Sequence, residues 1–225
     1  MLGHPFRVGN KMDEDNFSEF SEPLQIVAQG YDQVADKYAR LEAGAEWPRM
    51  RWLRKVLDNL EAGSAVLDLG CGSGDPADIE IAKIHHITGV DISQTQINLA
   101  RQNVPSGTFI HGDAGSADFP ADSFDAVISF YTLEHLPRDV HQPLLARIYQ
   151  WLQGNGYLLI ATEATEIDEI VSEWLDVPMY FSSFDPETVK KMVEVAGFEI
   201  LETAVEPQME GDHEVSYLWL LAQRN

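Results

Sequence analysis

The chain is short of cysteine, of basic residues and of long apolar runs, and each shortage excludes something. Cys71 is the single cysteine among 225 residues, so no disulfide can form within the chain. Set between Gly70 and Gly72, it reads as a small packing residue rather than a nucleophile. No apolar stretch approaches the roughly 18 residues that a membrane-spanning helix needs. The opening stretch, MLGHPFRVGNKMDEDNF, has no apolar core of the kind a secretory leader carries, so a cytoplasmic address is expected. Lys and Arg total 15 against 37 Asp and Glu, a formal net charge of −22. Such a surface repels polyanions, and neither nucleic acid nor an anionic membrane is expected as a partner. The basic residues that do cluster, Arg49, Arg51, Arg54 and Lys55, have the spacing of a solvated helix face.

What is present suits a folded domain. Hydrophobic residues make up 44% and charged residues 23%, and the length suffices for one substantial α/β domain but not for two. Residues 1–22, polar and acidic, read as a flexible arm. Leu24, Val27, Tyr31, Val34 and Tyr38 recur at three- and four-residue spacing and predict a helix. Met50, Leu53, Val56, Leu57 and Leu60, closed by Gly63, predict a second, so that 23–62 is a helical segment. Over 63–163 the pattern alternates. AVLDL (65–69), HITGVD (86–91), GTFIHGD (107–113), FDAVISF (124–130) and GYLLIATE (156–163) are short apolar runs bounded by turn residues, as buried parallel strands are. Helices are expected after Pro76, from the capping Ser93 through Asn103, and over about 140–152. In 164–225, Ile167–Leu175 is expected to be helical, and Asp185 to cap a helix to Ala196. Phe198–Val205 and Val215–Ala222 are expected to pair antiparallel across an acidic loop. Five strand–helix alternations with short loops imply a parallel sheet covered on both faces.

The loop after the first strand carries the chemistry. Asp68-Leu69-Gly70-Cys71-Gly72-Ser73-Gly74-Asp75-Pro76 lies where such sheets bind ligands, and its glycines let backbone approach a ligand closely. Their spacing is G-x-G-x-G, not the G-x-G-x-x-G of a dinucleotide site, and flanking aspartates would repel a pyrophosphate. A ligand with cationic groups and a carboxylate suits the loop better, the carboxylate facing the helix N-terminus. From about Gly30 onward the sequence resembles the class I S-adenosylmethionine-dependent methyltransferases of the small-molecule type. Val66–Gly74 resembles their first motif, and GVDIS, with Asp91 twenty-one residues after Gly70, their second. GDAGSADFP resembles the third and FDAVISFYTLEHL the fourth.

The resemblance implies a Rossmann-like three-layer α/β sandwich: a seven-stranded, mostly parallel sheet with an antiparallel last strand and an N-terminal helical lid. It implies S-adenosylmethionine as cofactor and S-adenosylhomocysteine as product. Asp68, Gly70, Cys71, Gly72, Gly74, Ile92 and Gln96 would bind the cofactor, with Asp91 on the ribose hydroxyls, Asp113 at the adenine amino group and Ala114 near its ring. Ser129, Phe130 and Tyr131 would stand beside the methionine moiety, and Tyr38 would cover the cofactor. Each piece has a plainer reading when taken alone: a tight turn, a helix cap, a turn former.

Methyl transfer from a sulfonium is an in-line displacement, needing a general base only if the acceptor loses a proton. His135 stands just after the fourth strand, as that base or as a residue that shapes its loop. Tyr31 and Tyr38, in YDQVADKYARL, resemble the helical lid that bears on catalysis in small-molecule members; residues seven apart also simply share a helix face. Trp174, Met179, Tyr180 and Phe181 either wall an acceptor pocket or pack an added helix. From Ala161 onward 15 acidic residues face 3 basic ones. Glu206, Glu210, Asp212 and Glu214 form either a solvated loop or an attractor of a cationic substrate. The Asn-Pro-Pro-aromatic signature, clustered thiols and a magnesium-binding Asp-Asp-Asn set are missing, so no metal is expected. The expectation is methyl transfer to a small-molecule acceptor by a monomer or homodimer. The alternatives are a nicotinamide oxidoreductase, disfavoured by the glycine spacing, and a cofactor-binding pseudoenzyme without turnover.

Overall fold

Val66, Leu67 and Leu69 lose essentially all solvent contact, because their strand β1 (Ala65–Leu69) has neighbours on both edges and layers on both faces. β2 (His86–Asp91) and β4 (Phe124–Phe130) run parallel to it on either side. β3 (Thr108–His111) pairs with β2, and β5 (Leu152–Glu163) with β4, again in parallel. β9 (His213–Arg224) closes on β5 antiparallel, and β8 (Phe198–Glu210) on β9. The order β3-β2-β1-β4-β5-β9-β8 is the expected seven-stranded, mostly parallel sheet with an antiparallel last strand. The computed structural model describes residues 20–43, 48–211 and 213–225. Most of the N-terminal arm expected over 1–22 therefore lies outside the described residues; Glu22 already begins a helix.

Two apolar layers cover the sheet. On one face, α2 (Arg49–Leu57), α3 (Ala77–Ile81) and α4 (Gln94–Asn103) set Trp52, Leu53, Val56, Ile81, Ile97 and Ala100 against Val66, Ile128 and Trp219. Trp52 stacks on Trp219 at 5.8 Å between centroids and 10° between planes, worth about 0.5–1.5 kcal/mol beyond the buried area. On the other face, α5 (Arg138–Trp151) and α6 (Pro186–Val195) bury Leu144, Leu145, Ile148, Val189 and Val193. Ser93 caps α4 by accepting from Gln96 N, and Asp185 caps α6 by accepting from Glu187 N and Thr188 N, both as the sequence predicts. No helix among the described residues is long and apolar enough to cross a membrane.

Two expectations need correcting. Residues 167–175 are not helical: β6 (Ile167–Trp174) pairs antiparallel with β7 (Val177–Ser183) in a separate two-stranded sheet. Ile167, Ile170, Val171 and Trp174 have helix-like spacing only because a register shift between Ile167 and Ile170 breaks the two-residue alternation. Leu175 and Asp176 turn the hairpin at φ +50° and +65°, the left-handed pair a tight two-residue turn requires. Nor is there a long acidic loop near the C-terminus. Glu206 and Glu210 lie in β8 and Glu214 in β9, with pairing continuing to Glu210↔His213. Tyr217 pairs with Glu163, the last residue of β5, so the hairpin stands proud of the sheet beside its carboxyl edge.

Candidate active site

The strand order reverses between β1 and β4, and the crevice outside their carboxyl ends is where a doubly wound sheet accepts a ligand. The glycine loop fills the floor of that crevice. Gly70 N and Cys71 N donate to Val90 O at 2.7 and 3.1 Å, so the chain turns tightly against β2. Gly70 has φ +78°, and a Cβ there would stand 1.9 Å from Thr132 Oγ1; no other residue fits. Ser129 Oγ and Thr132 Oγ1 both donate to Leu69 O, at 3.1 and 3.0 Å, locking the end of β4 to the loop. Cys71 is buried against Gly89, and burial together with Asp78, Asp91 and Asp68 pushes its thiol pKa up. That environment makes it a packing residue.

Asp91 ends β2 facing the loop. Its carboxylate accepts from Gly72 N and Ser93 N, both at 2.8 Å. Burial raises its pKa to about 6 against those two donors, which leaves it mostly ionised at neutral pH. Asp113 Oδ1 accepts from Gly115 N at 2.7 Å, and burial raises this carboxyl also. Tyr131 holds φ +58°, a strained conformation for a bulky residue. Its hydroxyl donates to Gln208 Oε1 at 3.0 Å, and its ring meets Tyr217 edge-on at 4.7 Å.

The roof is α1 (Glu22–Ala43) together with the β6–β7 hairpin. Asp32 Oδ1 accepts from Ser93 Oγ at 2.6 Å and Thr95 N at 2.9 Å, pinning α1 to the start of α4. Lys37 ties the other end to the hairpin turn through Asp176 and Leu175 O, at 2.7 and 3.1 Å. Tyr31, Tyr38 and Trp174 pack ring to ring, with centroids 5.6–5.7 Å apart. Beneath them, His135 Nδ1 and Tyr180 O are 2.9 Å apart, so Nδ1 carries the proton and donates. Nε2 is then the acceptor, and the Tyr31 hydroxyl donates to it at 2.9 Å. Burial lowers the imidazole pKa to about 4, so His135 is neutral with a lone pair pointing at Tyr31.

Between floor and roof lies a cleft that opens to solvent, about 550 Å³ with that open space included. Of the residues picked from sequence, Tyr31, Tyr38, Gly70, Asp91, Ile92, Asp113, Ala114, Phe130, Tyr131 and His135 line it. Asp68, Cys71, Gly72, Gly74, Gln96 and Ser129 stand behind the lining, in or against the loop. Trp174, Met179, Tyr180 and Phe181 pack with α1 and His135. They do so from a hairpin rather than a helix.

A methyltransferase-domain family model matches residues 66–156, the span from the glycine loop through β4 and α5. Over those residues the chain is similar to a methyltransferase domain. A demethylmenaquinone methyltransferase of Listeria welshimeri is 26% identical over 143 residues, covering 59% of this chain and 60% of the relative. The chain thus spans less than two thirds of the length of the curated relatives it matches first. The O-methyltransferase rstn1 of Aspergillus nomiae is 28% identical over 194 residues, covering 79% of this chain and 82% of the relative. Among solved structures, a methyltransferase from Methanosarcina mazei superposes with TM-score 0.66 at 19% identity, over 76% of this chain and 96% of that one. That likeness shows the fold.

The cofactor of these methyltransferases is S-adenosylmethionine, and the residues present fit it. The floor has the bare glycine backbone such a ligand must approach, at a position where a Cβ has no room. The walls offer two carboxylates, those of Asp91 and Asp113. One important residue escapes a reading of the sequence. Arg49 is buried rather than solvated, 8% exposed, with its guanidinium 5.0 Å above the Tyr131 ring and 5.8 Å above Phe130. Its neighbours Arg51 and Lys55 do face outward, to Glu206 and Glu202. The signal was available: Arg49, Trp52, Leu53 and Val56 fall at i, i+3, i+4 and i+7, on one face, and all four are buried.

Proposed function

We propose that the chain transfers a methyl group from S-adenosylmethionine to a small molecule through an acidic hydroxyl, without a metal. The Tyr31–His135–Tyr180 carbonyl relay carries this reading, because an acceptor that loses a proton needs a base above the methyl group. Among the described residues no three His, Cys, Asp or Glu side chains converge as metal ligands. The cofactor supplies a methyl on a sulfonium, which leaves a neutral thioether after in-line displacement.

The protein's own part is holding, orienting and deprotonating. Asp91 and Asp113 accept hydrogen bonds from the nucleoside, and the loop from Gly70 to Gly74 meets the methionine end with backbone. Arg49 supplies positive charge at the same end, toward a carboxylate. Tyr31 and Tyr38 exclude water from above. The Tyr31 hydroxyl, which lines the cavity, hands the acceptor's proton to His135 Nε2, while the bond from Nδ1 to Tyr180 O fixes the tautomer. An imidazole held near 4 does not keep a proton at neutral pH. It gains basicity only as negative charge grows on the acceptor oxygen, which favours phenols and enols over alkyl alcohols. That one relative is an O-methyltransferase agrees with an oxygen acceptor.

The test is turnover on a panel of phenols, enols and amines, with S-adenosylhomocysteine as the readout, alongside His135→Ala. His135→Ala is expected to cut kcat by about 10²–10⁴ while S-adenosylhomocysteine affinity by calorimetry stays within a few-fold. Full activity in His135→Ala would remove the base. Turnover on amines alone would remove the hydroxyl.

A further inference from the structure

Asp68 and Asp78 bracket the glycine loop, one at its entry on β1 and the other in the first turn of α3. Both are buried, at 3% and 0% exposed, and they interact carboxyl to carboxyl. Among the described residues no donor reaches Asp68 Oδ1 or either oxygen of Asp78. Asp78 also packs 3.4 Å from where a Cβ on Gly74 would stand, so its carboxyl lies directly under the loop. The groups facing the pair are Arg49 of α2, Asp91 of β2 and the Cys71 thiol of the loop. One cation therefore serves two buried carboxyls, with a third close by.

Two buried carboxylates cannot both stay ionised beside one guanidinium. Burial raises both carboxyls above the ordinary range. We propose that Asp78 is a positioning residue for the cofactor's ammonium group, sharing one proton with Asp68 in the free protein and losing it when the ammonium settles beside the glycine loop. The O–H bond of the shared carboxyl breaks, the proton leaves to solvent, and no oxidation or reduction accompanies it. The incoming cation takes over the proton's electrostatic role, so the pair becomes doubly negative only when two cations face it. The inference rests on reading this site as that of S-adenosylmethionine.

Proton linkage tests it without an acceptor. Calorimetry of S-adenosylhomocysteine binding at about pH 7, in buffers of different ionisation enthalpy, gives the number of protons released per ligand. The wild type is expected to release a large fraction of one proton more than Asp78→Asn, whose amide keeps the contact with Asp68 but has no proton to lose. The ligand's own amine contributes equally to both proteins, so the difference reports on the pair. Equal release by the two proteins would overturn the proposal. Should Asp78→Asn fail to fold, infrared difference spectra of the wild type serve instead. Loss of a protonated-carboxyl band in the bound-minus-free difference spectrum supports the proposal, and a difference spectrum with no such loss refutes it. A folded wild type that does not bind S-adenosylhomocysteine at all would overturn the methyltransferase reading, and this inference with it.

Discussion

Replacing Glu134 by Gln should stabilise the protein at neutral pH, although Glu134 lies next to His135. Glu134 is 3% exposed on the short 3₁₀ turn Leu133–His135. Its Oε2 accepts from Thr162 Oγ1 at 3.1 Å, and Glu163 and Glu210 crowd it with negative charge. Burial first, then these neighbours, raise its pKa from 4.5 to about 8. The native state therefore holds a proton that the unfolded chain releases throughout the window from 4.5 to about 8. Where the native state binds more protons, stability falls as pH rises. At pH 7 the unfolded carboxyl stands about 2.5 units past its pKa, and at about 1.4 kcal/mol per unit the cost approaches about 3.5 kcal/mol. Water entry and relaxation reduce such figures, and about 1–3 kcal/mol is the expected gain for Glu134→Gln. The amide carbonyl still accepts from Thr162. The assay is urea unfolding of both proteins at several pH values, reading the difference between them because Asp68, Asp78 and Asp91 also titrate. The gap should open from pH 5 to pH 8 in favour of the variant. Parallel curves, or a variant less stable at pH 7, would refute the reasoning.

Two further substitutions probe the floor of the site. Asp91→Ala removes the carboxylate expected to hold the ribose hydroxyls and should weaken S-adenosylhomocysteine binding by about 1–3 kcal/mol; unchanged affinity by calorimetry would place the ribose elsewhere. Gly70→Ala sets a Cβ against Thr132 at φ +78° and should cost at least about 3 kcal/mol of unfolding free energy or prevent folding. A variant with wild-type Tm would mean the loop can relax away from β4.

The cofactor half of the molecule was legible because its elements obey local rules. β1 to β5 are built on short apolar runs bounded by turn residues, and Ser93 and Asp185 are caps that act within three residues of themselves. Glycines at Gly70, Gly72 and Gly74 are all at positive φ, so the residue type itself announces the backbone. The acceptor half depends on contacts no local rule carries. The β6–β7 hairpin hides behind a bulge and a turn that opens on Leu175, a residue type that seldom adopts left-handed backbone. β6 itself is mostly exposed, so burial imposed no clean alternation on it. Arg49 was read as solvated, and Asp78 and Asp32 went unnoticed, for a related reason. Each is a charged residue whose partner lies on another element, and sequence spacing shows a charge without showing what neutralises it.

The β6–β7 hairpin is hydrogen-bonded to itself and not to the seven-stranded sheet, yet it supplies Trp174, Tyr180 and Phe181 to the roof and the carbonyl that orients His135. Its two ends enter from the end of β5 and leave toward α6, so the segment can lengthen, shorten or change sequence without disturbing a single strand that holds the cofactor. On the proposed function, acceptor preference is therefore expected to be evolvable in one contiguous stretch of about twenty residues. Grafting the equivalent stretch from a relative is the natural way to exchange one acceptor for another.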